Sequence, residues 1–149
     1  MATFYLSAFA DEAGGGIKEQ IDALKSHGMT HLEPRGLDEG NISTFTADQA
    51  RNVRKILDEH GIGVSAVGSH FGKINIKDDF APHFESFKQC VENAAILGTE
   101  NIRMFSFFES HGERERVIEN LSKMVEVADT YGVGLYHENE KGIYGDTLE

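Results

Sequence analysis

Ser26-His27-Gly28-Met29-Thr30 joins a helix-like run to a strand-like run at a single glycine. The same junction recurs at Glu59-His60-Gly61-Ile62-Gly63, Ile96-Leu97-Gly98-Thr99-Glu100 and Thr130-Tyr131-Gly132-Val133-Gly134. Glycine ends helices because it enters the left-handed conformation without a side-chain clash. Recurrence at roughly 35 residues marks a repeated supersecondary unit. Helix, short turn, strand, longer loop and helix again is the order of a parallel βα fold.

Working outward from these junctions, the pattern predicts five strands and four helices. The first strand runs from Thr3 to Phe9 and exits through Ala10-Asp11-Glu12-Ala13-Gly14-Gly15-Gly16. Ile17, Ile21 and Leu24 then recur at helical spacing. The second strand, Met29 to Arg35, leads into a polar loop from Gly36 to Phe45, and Thr46 stands three residues ahead of Gln49 as a capping box. The second helix shows Ala50, Val53 and Leu57 on its apolar face. The third strand, Gly63 to Gly68, runs into Ser69-His70-Phe71-Gly72-Lys73, and the third helix carries Phe84, Phe87, Val91, Ala94 and Ala95. The fourth strand is Asn101 to Phe107, followed by a helix with Val117, Leu121, Met124, Val125 and Ala128. The fifth strand is Gly134 to Asn139. Residues 1–147 form the fold, and Leu148-Glu149 has the form of a cloning remnant.

Two folds accommodate this order: an open flavodoxin-like sheet, or half of an eight-stranded βα (TIM) barrel, which in full takes about 250 residues. Strands covered by helices on both faces read as continuous apolar runs. Here the second strand holds Glu33 and Arg35, the fourth Arg103, and the fifth His137, Glu138 and Glu140. One polar face fits a barrel interior near its mouth, so the half-barrel is the expected fold and the open sheet its alternative. A half-barrel has two unpaired edges, which invite pairing with a second copy as a homodimer.

The long strand-to-helix loops place the working face at the strands' C-terminal ends. A net charge of −11 disfavours nucleic acid as the main partner. No apolar run approaches the roughly 20 residues of a membrane span, and no signal peptide is expected. The single cysteine, Cys90, sits in an apolar helical run and suits a reducing, cytoplasmic setting. Glu138 and Glu140 share a face if the strand stays regular through Asn139. Two such carboxylates suit a hard divalent cation or proton transfer; the alternative is a solvated ion pair for Glu140. Gly14-Gly15-Gly16 precedes a helix but lacks the spacing of a phosphate-binding motif, so a flexible loop is expected there.

Five segments occur in order: Ser7-Ala8-Phe9-Ala10-Asp11-Glu12, Leu32-Glu33-Pro34-Arg35-Gly36, Gly68-Ser69-His70-Phe71-Gly72-Lys73-Ile74, Ile102-Arg103-Met104-Phe105-Ser106-Phe107-Phe108 and His137-Glu138-Asn139-Glu140-Lys141-Gly142-Ile143-Tyr144-Gly145-Asp146-Thr147. Together they resemble the N-terminal half of bacterial sugar phosphate isomerase/epimerases of the xylose-isomerase-like barrel superfamily. The resemblance implies a divalent metal, Mn²⁺, Mg²⁺ or similar, and proton transfer beside a metal-bound carbonyl or hydroxyl. It implies Glu138 as metal ligand and member of the proton-transferring pair, the other three ligands belonging to the barrel's other half. It further implies Glu33 and His70 facing a sugar or sugar phosphate, with Arg103 or Arg35 holding an anionic group. A non-catalytic, self-associating fragment is the alternative, and an endonuclease IV-like metal hydrolase a third reading that the acidic balance disfavours. His137 should face the helices as a hydrogen-bonded structural residue.

Overall fold

The computed structural model describes residues 3–38 and 40–147; the Leu148-Glu149 pair lies outside them. Among the described residues short strands are interspersed with four long helices: β1 Ser7–Ala8, α1 Ile17–Ser26, β2 His31–Leu32, β3 Gly36–Leu37, β4 Gly40–Asn41, α2 Ala47–His60, β5 Gly63–Val64, β6 Val67–Gly68, α3 Phe80–Leu97, β7 Asn101–Met104, α4 Arg114–Thr130 and β8 Gly134–His137. Gly28, Gly61, Gly98 and Gly132 all hold positive φ at the helix ends, as the junctions require. Thr46 caps α2 with the reciprocal Gln49 bond.

The barrel strands follow chain order. β1, β2 and β5 pair in parallel, as do β6, β7 and β8. A flavodoxin-like sheet reverses direction around its first strand and leaves a switch point; here β1 is an edge and the order never reverses. That decides for the half-barrel.

β5 and β6 are two pieces of the expected third strand. Between them the Ser65 carbonyl accepts bonds from Thr99 Oγ1 (3.0 Å) and Asn101 Nδ2 (2.8 Å), so side chains replace the ladder there. The second strand ends earlier than expected because Pro34 has no N–H to donate. The stretch after Arg35 is not an open loop but an antiparallel hairpin of β3 and β4.

The core lies between strands and helices. Leu32, Val64, Ile102 and Met104 meet the buried helix residues Ile21, Leu24, Val53, Leu57, Phe87, Val91, Ala94, Leu97, Val117, Met124 and Ala128. Cys90 is fully buried, and burial pushes its thiol up to about 12, so it is an inert core residue. Two expected core positions are exposed, Ala95 and, at 44%, Val125, and two more, Phe84 and Leu121, are only partly buried. Among the described residues no helix is long and apolar enough to cross a membrane.

β1 and β8 each have one strand partner among the described residues, so both edges are open. Apolar side chains crowd those edges. Phe4, Tyr5 and Leu6 precede β1 at 88%, 68% and 67% exposure, and Tyr136 on β8 is 58% exposed.

Candidate functional site

Strand alternation builds the site. In β7 the even positions Ile102 and Met104 are buried under the helices, while Asn101 and Arg103 point to the barrel's inner side. The same alternation turns Leu32 outward and Glu33 inward. Glu138 follows the last residue of β8 directly. An open cavity of about 660 Å³ forms on this inner face, with Glu33, Arg103, Glu138 and Phe9 in its wall.

Arg103 stands between the two carboxylates. Its Nη1 is 2.9 Å from Glu138 Oε2 and its Nε is 3.7 Å from Glu33 Oε1. The guanidinium carbon lies 5.1 Å from the Phe9 ring centre and 5.0 Å from that of Phe105. Burial raises the Glu33 carboxyl above its ordinary range; Arg103 opposes the rise and Glu138 adds to it. Gly68 leaves the space this arrangement needs, since a Cβ there would come within 3.1 Å of Phe9 Cε1 and 3.2 Å of both Arg103 Nη2 and the Pro34 carbonyl oxygen. Gly68→Ala is therefore expected to destabilise the fold by about 1–3 kcal/mol, measured by urea unfolding.

Arg35 lies behind the cavity wall, its guanidinium carbon 4.9 Å from the centre of the Phe9 ring. It grips Asp11 with two bonds, 2.8 Å from Nε and 3.0 Å from Nη2, and reaches Glu12 at 3.3 Å. Burial pushes Asp11 up, but the bonds from Arg35 and the Gly36 N–H outweigh it and hold that carboxyl below its ordinary range. Arg35 is thus a fastener between the first two strand exits, while Arg103 is the arginine in the cavity wall. Glu33 pairs with Arg103, not with Arg35.

Glu140 and Glu138 do not share a regular strand face. The chain turns after His137, with the Glu140 N–H bonded to the Glu138 carbonyl at 3.0 Å, and Glu140 reaches Lys73 at 2.5 Å. Lys73 in turn lies 4.1 Å from the centre of the Phe105 ring. No local spacing reveals Lys73, because its partner comes from a distant strand exit. His70 is half-buried and stacks on Phe71, and burial with the nearby Lys73 lowers its pKa. It is not in the cavity wall with Glu33 and Glu138. His137 bonds Ser106 through Nε2 at 2.7 Å. The Ser106 hydroxyl gives its one proton to the Tyr144 carbonyl, so His137 Nε2 is the donor in this pair. Burial lowers the His137 pKa, against the pull of Glu138. His137 is hydrogen-bonded as expected, but it is exposed and borders the cavity, not packed under the helices.

The glycine run before α1 offers no open anion cradle. The Gly16 N–H donates to Glu19, and the Ile17 N–H to Asp38. The chain's own carboxylates occupy that helix start.

The sequence from residue 21 to residue 149 matches the family model of the xylose isomerase-like TIM barrel. The chain belongs to that family. The fold also agrees with that of solved structures. A sugar phosphate isomerase/epimerase from Parabacteroides distasonis aligns with a TM-score of 0.68 at 17% identity, over 92% of this chain and 51% of its own. A xylose isomerase-like TIM barrel protein from Mycobacterium smegmatis, in complex with magnesium, aligns at 0.71 and 14% identity, over 91% and 51%. A 3-keto-D-glucoside 4-epimerase from E. coli aligns at 0.68 and 16% identity, over 93% and 56%. The chain thus spans about half the length of these solved chains. No curated protein matches it.

Among the described residues no group of three or more His, Cys, Asp or Glu side chains could hold a metal ion. Glu138 and Glu33 nevertheless supply two hard oxygen donors to one cavity. Mg²⁺ takes one or two carboxylates and completes its shell with water and substrate oxygen, so the pair fits part of a Mg²⁺ or Mn²⁺ site.

Proposed function

We propose that this chain is the N-terminal half of a metal-dependent sugar or sugar-phosphate isomerase/epimerase, with Glu138 as metal ligand and proton-transferring base. The observation that carries this reading is the meeting of Glu138 and Glu33 in one cavity at the strand ends of a half-barrel. A divalent cation, when bound, polarises the substrate's carbonyl and adjoining hydroxyl. Glu138 has the exposure to meet a substrate C–H, with its side chain 45% accessible. Glu33 is more enclosed, and burial raises its carboxyl above the ordinary range while Arg103 opposes the rise. Phe9 and Tyr136 offer apolar surface to a sugar ring.

The test is hydrogen exchange. The chain is mixed with Mn²⁺ and a panel of ketoses and ketose phosphates in heavy water, and the C–H beside the carbonyl is followed by NMR. A chain that carries only one of the implied metal ligands is expected to give weak exchange at most, and Glu138→Gln should remove it. Absence of exchange across the panel overturns the catalytic reading for this chain.

A second reading, self-association, is supported by the two open edges and the apolar side chains along them. A strand pairing of β1 in one copy with β8 in another extends both sheets in parallel and covers Leu6 and Tyr136. Two copies paired at both edges make a closed or nearly closed barrel about a two-fold axis. Light scattering behind a sizing column should return twice the 16.5 kDa of one chain. A monomer at high concentration overturns this reading.

A further inference from the structure

We infer that Arg103 couples two ligands of this site: it is the internal counter-ion of Glu33 and Glu138, yields those carboxylates to a divalent cation, and then binds an anionic group of the substrate. This rests on the proposed metal reading and deepens it.

Arg103 is held by charge and by aromatic surface more than by hydrogen bonds. Its side chain is only 16% exposed, yet its contact with Glu33 at 3.7 Å is too long for a hydrogen bond. The Nε–H is buried with no acceptor. Arg35 shows what a satisfied guanidinium looks like in the same chain, with two bonds of 2.8 and 3.0 Å to one carboxylate. A buried, unmet donor is costly, and an arginine fork matches a phosphate or carboxylate. Phe9 and Phe105 keep the guanidinium in the cavity wall without using its in-plane donors.

Charge makes the coupling follow. Glu33 and Glu138 carry two negative charges against the single positive charge of Arg103. An anion approaching this cluster meets a net negative site. A divalent cation between the carboxylates reverses the local sign and repels the guanidinium from them, so its donors become free for an anion. Lys73 cannot substitute, because Glu140 already neutralises it. Binding free energies are reciprocal, so the anion must strengthen the cation as much as the cation strengthens the anion.

Calorimetry of the chain with Mg²⁺ and inorganic phosphate tests this, with Mg²⁺–phosphate pairing in buffer subtracted. Saturating Mg²⁺ is expected to tighten phosphate about tenfold, within the usual range of coupling between sites. Arg103→Met should bind Mg²⁺ tighter than the parent, having lost the internal competitor, and should show no coupling. Because the variant loses ion pairs, the unaltered chain supplies a second measurement: the ¹⁵N resonance of Arg103 Nε should move on addition of Mg²⁺ and again on addition of phosphate. Equal Mg²⁺ affinity in parent and variant, with that resonance unmoved, overturns the coupling and leaves the metal reading standing. Absence of Mg²⁺ binding in both proteins overturns the metal reading and the coupling with it.

Discussion

Gly72→Ala is expected to lower stability by more than about 4 kcal/mol, enough to leave little folded protein. Gly72 holds φ at +90°, a conformation that strains any residue with a Cβ. Space compounds the strain. An added Cβ would overlap the carbonyl carbon and oxygen of Phe105 and lie 3.0 Å from its Cα, all of it backbone that cannot rotate away. That close approach is the join between two strand exits. The Phe105 N–H donates to the Phe71 carbonyl at 2.7 Å, and the Phe107 N–H donates to the Gly72 carbonyl at 2.8 Å. The methyl therefore pushes apart the bonds that seat Phe71, Phe105 and Phe107, three fully buried rings. Urea unfolding or the soluble yield of the variant reads the effect. Gly15→Ala is the control, because a Cβ at Gly15 has nothing within 4 Å. A Gly72→Ala protein as stable as the Gly15→Ala protein would contradict this account.

The helices were legible from the sequence and the strand lengths were not. Helices announce themselves through local chemistry: the glycine at each end, the Thr46–Gln49 cap, and apolar residues at a period of about 3.6. The position of every helix follows from such marks. A strand's limits depend on its neighbour's bonds. Asn101 to Phe107 reads as one strand, yet β7 stops at Met104 because the next residues bond to the Phe71, Gly72 and Ile74 carbonyls of the preceding strand exit. Phe107, with φ at +68°, lies in a region that no propensity rule anticipates for an aromatic residue. The first strand reads as Thr3 to Phe9 but pairs only at Ser7–Ala8, since its outer side has no partner among the described residues.

Legibility of the site divides in the same way. Alternation puts Glu33, Arg103 and Glu138 on one side of their strands, and the structure brings them together. Glu33 and Arg35 also alternate in phase, and Arg35 stays beside Phe9, but its donors go to Asp11 and not to Glu33. Glu140 fails for a related reason: the chain turns at Asn139, so period two no longer applies. Lys73 and the aromatic slot around Arg103 could not be read at all. Each depends on residues from different strand exits, and that proximity exists only once the barrel strands lie side by side.

Acid should destabilise the fold through His83 well before most carboxylates titrate. His83 lies in the first turns of α3, where its Nε2 accepts the Gly72 N–H at 2.9 Å. Its ring meets Phe71 edge-on at 5.1 Å, and His70 stacks on that same phenyl ring. Burial lowers the His83 pKa to about 4, and the charge of His70 adds to the effect. Lys73 also lies in this loop, and it lowers the pKa of His70. Protonating His83 turns its Nε2 from acceptor to donor, so it confronts the Gly72 N–H with a second proton. The folded pKa lies below the unfolded value, so the unfolded chain binds more protons between pH 6.5 and about 4. Stability from neutral His83 is thus complete above pH 6.5, falls through that window, and for this group is level below pH 4. The full shift corresponds to about 3 kcal/mol; screening at a partly exposed ring reduces this to about 1–2 kcal/mol. His83→Gln keeps an acceptor for Gly72 and cannot titrate. Urea midpoints at pH 7.5 and 4.5 should therefore fall less in the variant than in the parent. The other lowered histidines, His70 and His137, act in the same direction in both proteins, so the difference isolates His83. Equal falls in parent and variant would show that the Gly72–His83 bond does not sense acid.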